Sequence, residues 1–454
     1  MQRLKYFLNF VSIISFFTVI SFLEDFSLFL GVIFTFLHII LIFQYVCKRN
    51  CDLFSPIILY SLYNILVPLS ELYLLFTFNE NIFLNAVSLS KDFNYLFNLT
   101  CGINLGAYIF CLIGHKIFCK IRINPISFQM PKIDYLMIIK FFIFLGLLNF
   151  FYNQFYVCSF NFTSIASLYL NVDVIEQNSS TLLYNLIYLS LYIYLTCINY
   201  DKKKKNILLF LCVIIAFTTL RLFFTLTIIL VTIAYSYETN ESNNKNKKFL
   251  LLLFLLALLG ITLYIIRVSF TYSLQDLDFS ITDFFKQFGY YAFNKGNTPN
   301  IAIQMELYDK WTDFLYGKSF LSPLLYFFRK SIDFTEFIPA ALMKKYYFMA
   351  VPSGNLPVTG VGELFMNFGY FGVFIGMFIF GGVLRIFYNL FFFSKNNFIK
   401  LLGCYYSISF FMLFSKGEVN NIDLFILFEF ISFIIFVEFL CIAIKNNVKR
   451  GCLC

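Results

Sequence analysis

The residues able to carry a reaction in this chain gather at the ends of apolar segments. Glu363 follows Gly360 and Gly362 at the start of a long apolar run. A carboxylate at such a boundary can accept the proton of an attacking hydroxyl. It is equally an acid placed where a helix dipole favours negative charge. Arg221 interrupts the apolar stretch 206–237. There a guanidinium either clamps a phosphate through its planar fork of donors or snorkels to lipid headgroups. Arg267 closes the apolar run that leads into a long polar stretch, and reads as a second phosphate contact or as an interface anchor. Lys416 opens a short polar turn, Lys416-Gly-Glu418, placed to face the same cavity as Arg221. Lys318, Arg329, Lys344 and Lys345 offer cations for an anionic headgroup, or are simply the charges of a solvated loop.

These residues must be positioned by elements that composition identifies. With 454 residues, 60% hydrophobic and only 13% charged, the chain falls outside the range of soluble globular proteins. Apolar runs of about 17 to 25 residues recur along it, the length that crosses roughly 30 Å of hydrocarbon. The expected fold is all-α: a polytopic integral membrane protein with about 12 transmembrane helices, over 6–23, 26–46, 53–78, 95–115, 134–157, 181–199, 206–220, 222–237, 249–268, 362–391, 399–415 and 422–444. The alternating ten-residue segments of a β-barrel are absent. The domain reading is helices 1–9 over 1–268, a large loop over 269–361, and helices 10–12 with a short tail over 362–454.

Charge sets the expected orientation. The stretch 206–237 is too long for one straight span, and Lys202 to Lys205 precede it while Lys245, Lys247 and Lys248 follow. With both flanks on one side, it becomes a short double-span hairpin with Arg221 near its outer apex. Counting short loops, 20 Lys and Arg then lie inside against 3 outside, a strong positive-inside bias. Both termini are cytoplasmic and the large loop is extracytoplasmic. The net charge of +9 is thereby spent on topology, and no basic stripe with interleaved aromatics remains for nucleic acid. Twelve cysteines are present but none falls in the large loop, so neither a disulfide framework nor a metal site is expected there. Gly369, Gly372, Gly376, Gly381 and Gly382 read as close helix packing. His38 and His115 are isolated, and Glu71 and Glu429 are interior polar residues whose partners the sequence does not name.

Several motifs together point to a family. Phe314-Leu-Tyr-Gly-Lys-Ser-Phe320, Phe337-Ile-Pro339 and Thr359-Gly-Val-Gly-Glu-Leu-Phe-Met-Asn-Phe-Gly-Tyr-Phe-Gly372 join an arginine in a tight double span and a polar turn between the last two spans. In these features the chain resembles the bacterial oligosaccharide repeat-unit polymerases, the Wzy-type O-antigen and capsule polymerases. The likeness covers the C-terminal half by motif and the rest by topology. Ala340 stands where the family often carries a basic residue, and Lys416-Gly417 where it tends towards Arg-Gly.

The resemblance implies a glycosyltransferase in the bacterial cytoplasmic membrane with its active site facing outside. The substrate class is an undecaprenyl-pyrophosphate-linked glycan, joined to another lipid-linked repeat with release of undecaprenyl pyrophosphate. Arg221, Arg267 and Lys416 are the candidates that stabilise the leaving pyrophosphate, and Glu363 is the candidate base. Lys318, Arg329, Lys344, Lys345 and Asn367 form the candidate substrate-binding set. No cofactor or metal is called for. Membrane lipid, a chain-length regulator and a flippase are the expected partners. An O-antigen ligase and a lipid-linked oligosaccharide flippase are the alternative readings.

Overall fold

The computed structural model describes residues 28–47, 55–77, 93–120, 135–152, 182–197, 202–218, 314–321, 358–394 and 396–416, with isolated positions elsewhere. Regular structure among them is helical throughout, with no strands. The helices are α1 (Phe29–Val46), α2 (Pro56–Asn64), α3 (Leu66–Thr77), α4 (Phe93–Ile117), α5 (Tyr135–Tyr152), α6 (Leu182–Cys197), α7 (Lys202–Thr218), α8 (Gly360–Phe393) and α9 (Asn397–Lys416). Five segments are long and apolar enough to cross a membrane: Phe29–Val46, Pro56–Leu75, Asn94–Ile117, Tyr135–Tyr152 and Gly360–Phe393. The expected spans 6–23, 249–268 and 422–444 lie outside the described residues, as does nearly all of 222–237.

One compact unit contains α1–α4, residues 314–321, α8 as far as Tyr388, and α9 from Tyr406. In it α2 and α3 form one apolar path with a break at Ile65. Proline explains the break: Pro68 has no N–H to offer the Asn64 carbonyl, and the pattern resumes where Leu69 N donates to Ile65 O at 3.3 Å. Helices α1 and α4 run side by side in the same direction. Gly31 N donates to Asn98 Oδ1 at 2.6 Å, and Thr35 meets Cys101 one turn further along both. Leu28, Leu74, Phe97 and Cys101 close the core between α1, α3 and α4.

Helix α8 is two helices. Its 34 residues would make a rod of about 51 Å, far beyond the hydrocarbon thickness of about 30 Å. Gly369 resolves the excess with φ 65° and ψ −154°, a combination open essentially to glycine alone. The chain folds back there. The Leu364 side chain lies against Gly376, twelve positions on, a separation of about 18 Å in a straight helix. The expected single span 362–391 is thus a short helix, 360–368, folded onto a second, 370–393.

That second helix runs along α4. Gly106 faces the Phe374 ring, Gly114 faces the Phe378 carbonyl, and Gly381 faces the Cys111 carbonyl and the His115 backbone. The absent side chains at Gly114 and Gly381 let two backbones touch, the packing expected of small residues in membrane helices. Gly372 and Gly376 do a different job: they make room for the folded-back turn at Phe368 and Leu364.

The other unit contains α5, α6, α7 and the start of α9. Helix α6 packs against α5 and α7 and is buried from Ile187 to Leu195. The outer face of α5 exposes Met137, Phe141, Phe144, Leu148 and Phe151. Their spacing of three and four draws a single apolar stripe, the surface a helix presents to lipid. Helix α7 starts four residues before the expected 206, because Lys202 to Lys205 are good helix formers and simply extend it.

Candidate functional site

The short helix 360–368 begins with a cap. Thr359 Oγ1 accepts from Gly362 N at 3.1 Å, satisfying one of the donors that a helix start leaves open. Glu363 and Asn367 follow at a spacing of four and so share a face. Both are fully buried, and what covers them is Ser319, 44 positions earlier. The Ser319 hydroxyl donates to Glu363 Oε1 at 2.5 Å and accepts from Asn367 Nδ2 at 2.7 Å. Asn367 Nδ2 also donates to the Glu363 carbonyl at 2.8 Å, and its Oδ1 accepts from Gly317 N at 2.8 Å. Every polar atom of the Asn367 side chain is thus engaged.

The backbone completes the joint. A helix leaves its last carbonyls without internal partners, and the reversal at Gly369 ends 360–368 abruptly. Two of those carbonyls find donors in the same distant segment: Leu315 N donates to Met366 O at 3.0 Å, and Tyr316 N to Asn367 O at 3.1 Å. Lys318 N closes a tight turn onto Leu315 O at 3.0 Å. The turn places Tyr316 at φ 49° and Gly317 at φ 83°, the mirror-image turn pattern with both central residues at positive φ. A tyrosine held at positive φ is uncommon and costs on the order of 1–3 kcal/mol, which the five hydrogen bonds to 363–367 offset. Phe314 packs its ring over Gly369, so the reversal and the turn fix one another.

Polar burial at the centre contrasts with the rim. Lys318 is exposed, and Tyr316, Phe368, Tyr370 and Phe371 are exposed aromatics of the same two segments. Exposed rings of this kind suit a membrane interface, where aromatic rings concentrate. They also have the flat apolar faces on which sugar rings stack.

Of the residues expected from sequence, the structure brings Glu363 and Asn367 into one cluster and sets Lys318 at its edge. Lys416 ends α9, its side chain outside the described residues. Arg221, Arg267, Arg329, Lys344 and Lys345 also lie outside them. Ser319 was visible only as a letter in the Tyr-Gly-Lys-Ser motif, and nothing local to it signals the contact with Glu363. Among the described residues no group of His, Cys, Asp and Glu has the arrangement of a metal site.

No protein-family model matches the chain, and no curated protein or solved structure matches it.

Proposed function

We propose that this chain is a membrane glycosyltransferase that joins polyprenyl-pyrophosphate-linked oligosaccharide repeat units into a polysaccharide at the outer face of a bacterial cytoplasmic membrane. One observation carries the reading. Two of the motifs on which the family resemblance rests, Tyr316–Ser319 and Gly360–Asn367, bind each other through Ser319, Glu363 and Asn367. Two motifs so far apart in sequence with complementary side chains act as one structural unit.

The chemistry follows from that unit. An acceptor hydroxyl attacks the anomeric carbon of the donor glycan, the bond to the pyrophosphate oxygen breaks, and the hydroxyl proton goes to a base. Charge grows on the departing pyrophosphate, where fixed cations contribute most. Arg221, Arg267 and Lys416 are the proposed cations, and Lys318 offers a further one beside the buried cluster. Glu363 is enclosed, with Oε1 taken by Ser319. It therefore acts here as a positioning residue that holds the turn and with it Lys318 and Tyr316. Service as the base requires the turn to lift off its carboxylate.

The test is the surface-glycan profile of a strain lacking the gene. Single repeats on the lipid acceptor, with the ladder of longer products gone, support a polymerase. A ladder that persists on the polyprenyl carrier, untransferred, points instead to a ligase. Repeats stranded on the cytoplasmic leaflet mean a flippase.

A further inference from the structure

Away from this cluster, α1, α3 and α4 bury a second polar centre within the apolar core. Glu71 lies fully buried on α3, in a helix pair apolar enough to cross a membrane. Its Oε1 accepts from Asn104 Nδ2 at 2.8 Å, and Oε2 lies 2.7 Å from Thr35 Oγ1. No lysine or arginine among the described residues pairs with it. An ionisable group at such depth is costly and marks a functional position more often than a structural one.

The hydrogen count around Thr35 is what points to a ligand. Its hydroxyl has one proton, yet two oxygens surround it: Glu71 Oε2, and the Gly31 carbonyl at 3.0 Å. With the Thr35 proton on Glu71, the carboxylate is satisfied as an anion by Thr35 and Asn104, with the Cys101 thiol as a further donor. With the Thr35 proton turned to Gly31 O, a lone pair of Oγ1 faces Oε2 and takes a hydrogen bond from a protonated carboxyl. Both states are satisfied, and they differ by rotation of one hydroxyl. One turn along α1, on the same face, stands His38. The Asn64 amide Nδ2 donates to its Nε2 at 2.9 Å, so the neutral ring carries its proton on the fully buried Nδ1, which has no hydrogen-bond partner among the described residues. His38 therefore offers no open lone pair to a proton, and the site is made by Glu71, Thr35 and Asn104.

We propose that α1, α3 and α4 enclose an intramembrane proton-binding site, in which the Glu71 carboxyl loads and unloads a proton by rotation of the Thr35 hydroxyl. Loading takes a proton from water, forms the Oε2–H bond of Glu71 and turns the Thr35 proton to Gly31 O; unloading breaks that O–H bond, returns the proton to water and turns the Thr35 proton back to Oε2. The other titratable groups near the centre are Cys101 on α4, whose Sγ is 3.5 Å from Thr35 Oγ1, and Tyr108 on α4. Tyr108 donates to Ser61 at 2.8 Å and stands with its ring centroid 5.0 Å from that of His38. The ligand is the proton, and the site rests on none of the glycan chemistry above.

The experiment is infrared difference spectroscopy of the full chain in lipid vesicles as pH is stepped, read in the C=O stretch of protonated carboxyl groups. The expected result is a reversible band that appears and disappears with pH, shifts in heavy water, and is lost in Glu71→Gln. A spectrum without such a band, or one that Glu71→Gln leaves unchanged, overturns the proposal. So does a carboxyl band that stays fixed across the pH range, because a purely structural carboxyl behaves that way. If Glu71→Gln does not insert, Thr35→Val and Thr35→Ser decide. The serine keeps the rotating hydroxyl and retains the titrating band, whereas the valine removes it and displaces or abolishes the band. Equal behaviour of the two also overturns the proposal.

Discussion

Ser319 and Glu363 meet through a single hydrogen bond of 2.5 Å in which the serine hydroxyl donates and the carboxylate accepts. The same hydroxyl oxygen accepts from Asn367, so one small side chain joins the turn at 314–321 to both polar residues of the short helix. Ser319→Ala removes both bonds at once. It takes one donor from Glu363 Oε1 and leaves one Asn367 N–H short of a partner in a site closed to water. An unmet buried polar group costs about 1–3 kcal/mol. The variant is expected to melt at a lower temperature in detergent and to lose the polymer ladder while still reaching the membrane. A ladder of normal length in membranes holding normal amounts of the variant would show that the joint is dispensable.

Glu363→Gln separates two roles for the carboxylate. Glutamine keeps an oxygen that accepts from Ser319, so a positioning residue tolerates it with a loss well short of a hundredfold. A general base does not, because the amide cannot take the proton, and such groups contribute about 10²–10⁴ in rate. The enclosure of Glu363 leads us to expect the smaller loss, measured as the rate of repeat-unit joining in membranes. A loss near a thousandfold, with melting unchanged, assigns the base to Glu363 after all.

Gly369→Ala attacks the reversal directly. The backbone at φ 65° and ψ −154° is strained for any residue with a Cβ, by about 1–3 kcal/mol. That Cβ would also stand 2.8 Å from Phe314 Cζ. The expected outcome is a clear fall in melting temperature. Gly376→Ala is milder by this reasoning, because the atoms nearest its new Cβ all belong to the Leu364 side chain, which can turn aside.

How much of this was legible in the sequence depends on the distance over which each feature is determined. Helices α1, α4, α5 and α6 follow from local hydropathy and start and stop within a few residues of expectation, because the cost of a polar residue in hydrocarbon acts position by position. The fold-back of α8 was not legible: Phe365 to Phe393 is apolar without interruption apart from Asn367, Arg385 and Asn389, and hydropathy cannot register a reversal. Its only trace was the Asn367-Phe-Gly369 step, read as part of a packing series of glycines. The pairings of Ser319 with Glu363 and of Glu71 with Asn104 and Thr35 have no local signature at all. Each is fixed by tertiary packing across more than thirty positions, which a single sequence does not encode in any periodicity.

The fold-back itself is open to a direct chemical test. Leu364→Cys with Gly376→Cys places two thiols where the side chain of one residue already touches the other. Oxidation is expected to give a disulfide within the peptide that spans Gly369, identified by mass spectrometry among the native cysteines. A disulfide tolerates Cα separations only up to about 7 Å. A straight helix holds these positions about 18 Å apart, so a product free of the 364–376 link under conditions that oxidise a control pair would mean a continuous helix.

Arg221 carries the proposed function furthest from the described residues, and charge geometry makes its test specific. If its guanidinium holds the leaving pyrophosphate through two parallel N–H···O bonds, Arg221→Lys keeps the charge but loses the fork. The lysine variant is then expected to join repeat units at a small fraction of the normal rate, and Arg221→Ala more slowly still, with both inserted normally as judged by protease accessibility. An arginine that only snorkels to headgroups predicts the opposite for lysine, which snorkels equally well. Full activity in Arg221→Lys would therefore remove Arg221 from the site and leave Arg267 and Lys416 as the cations to test.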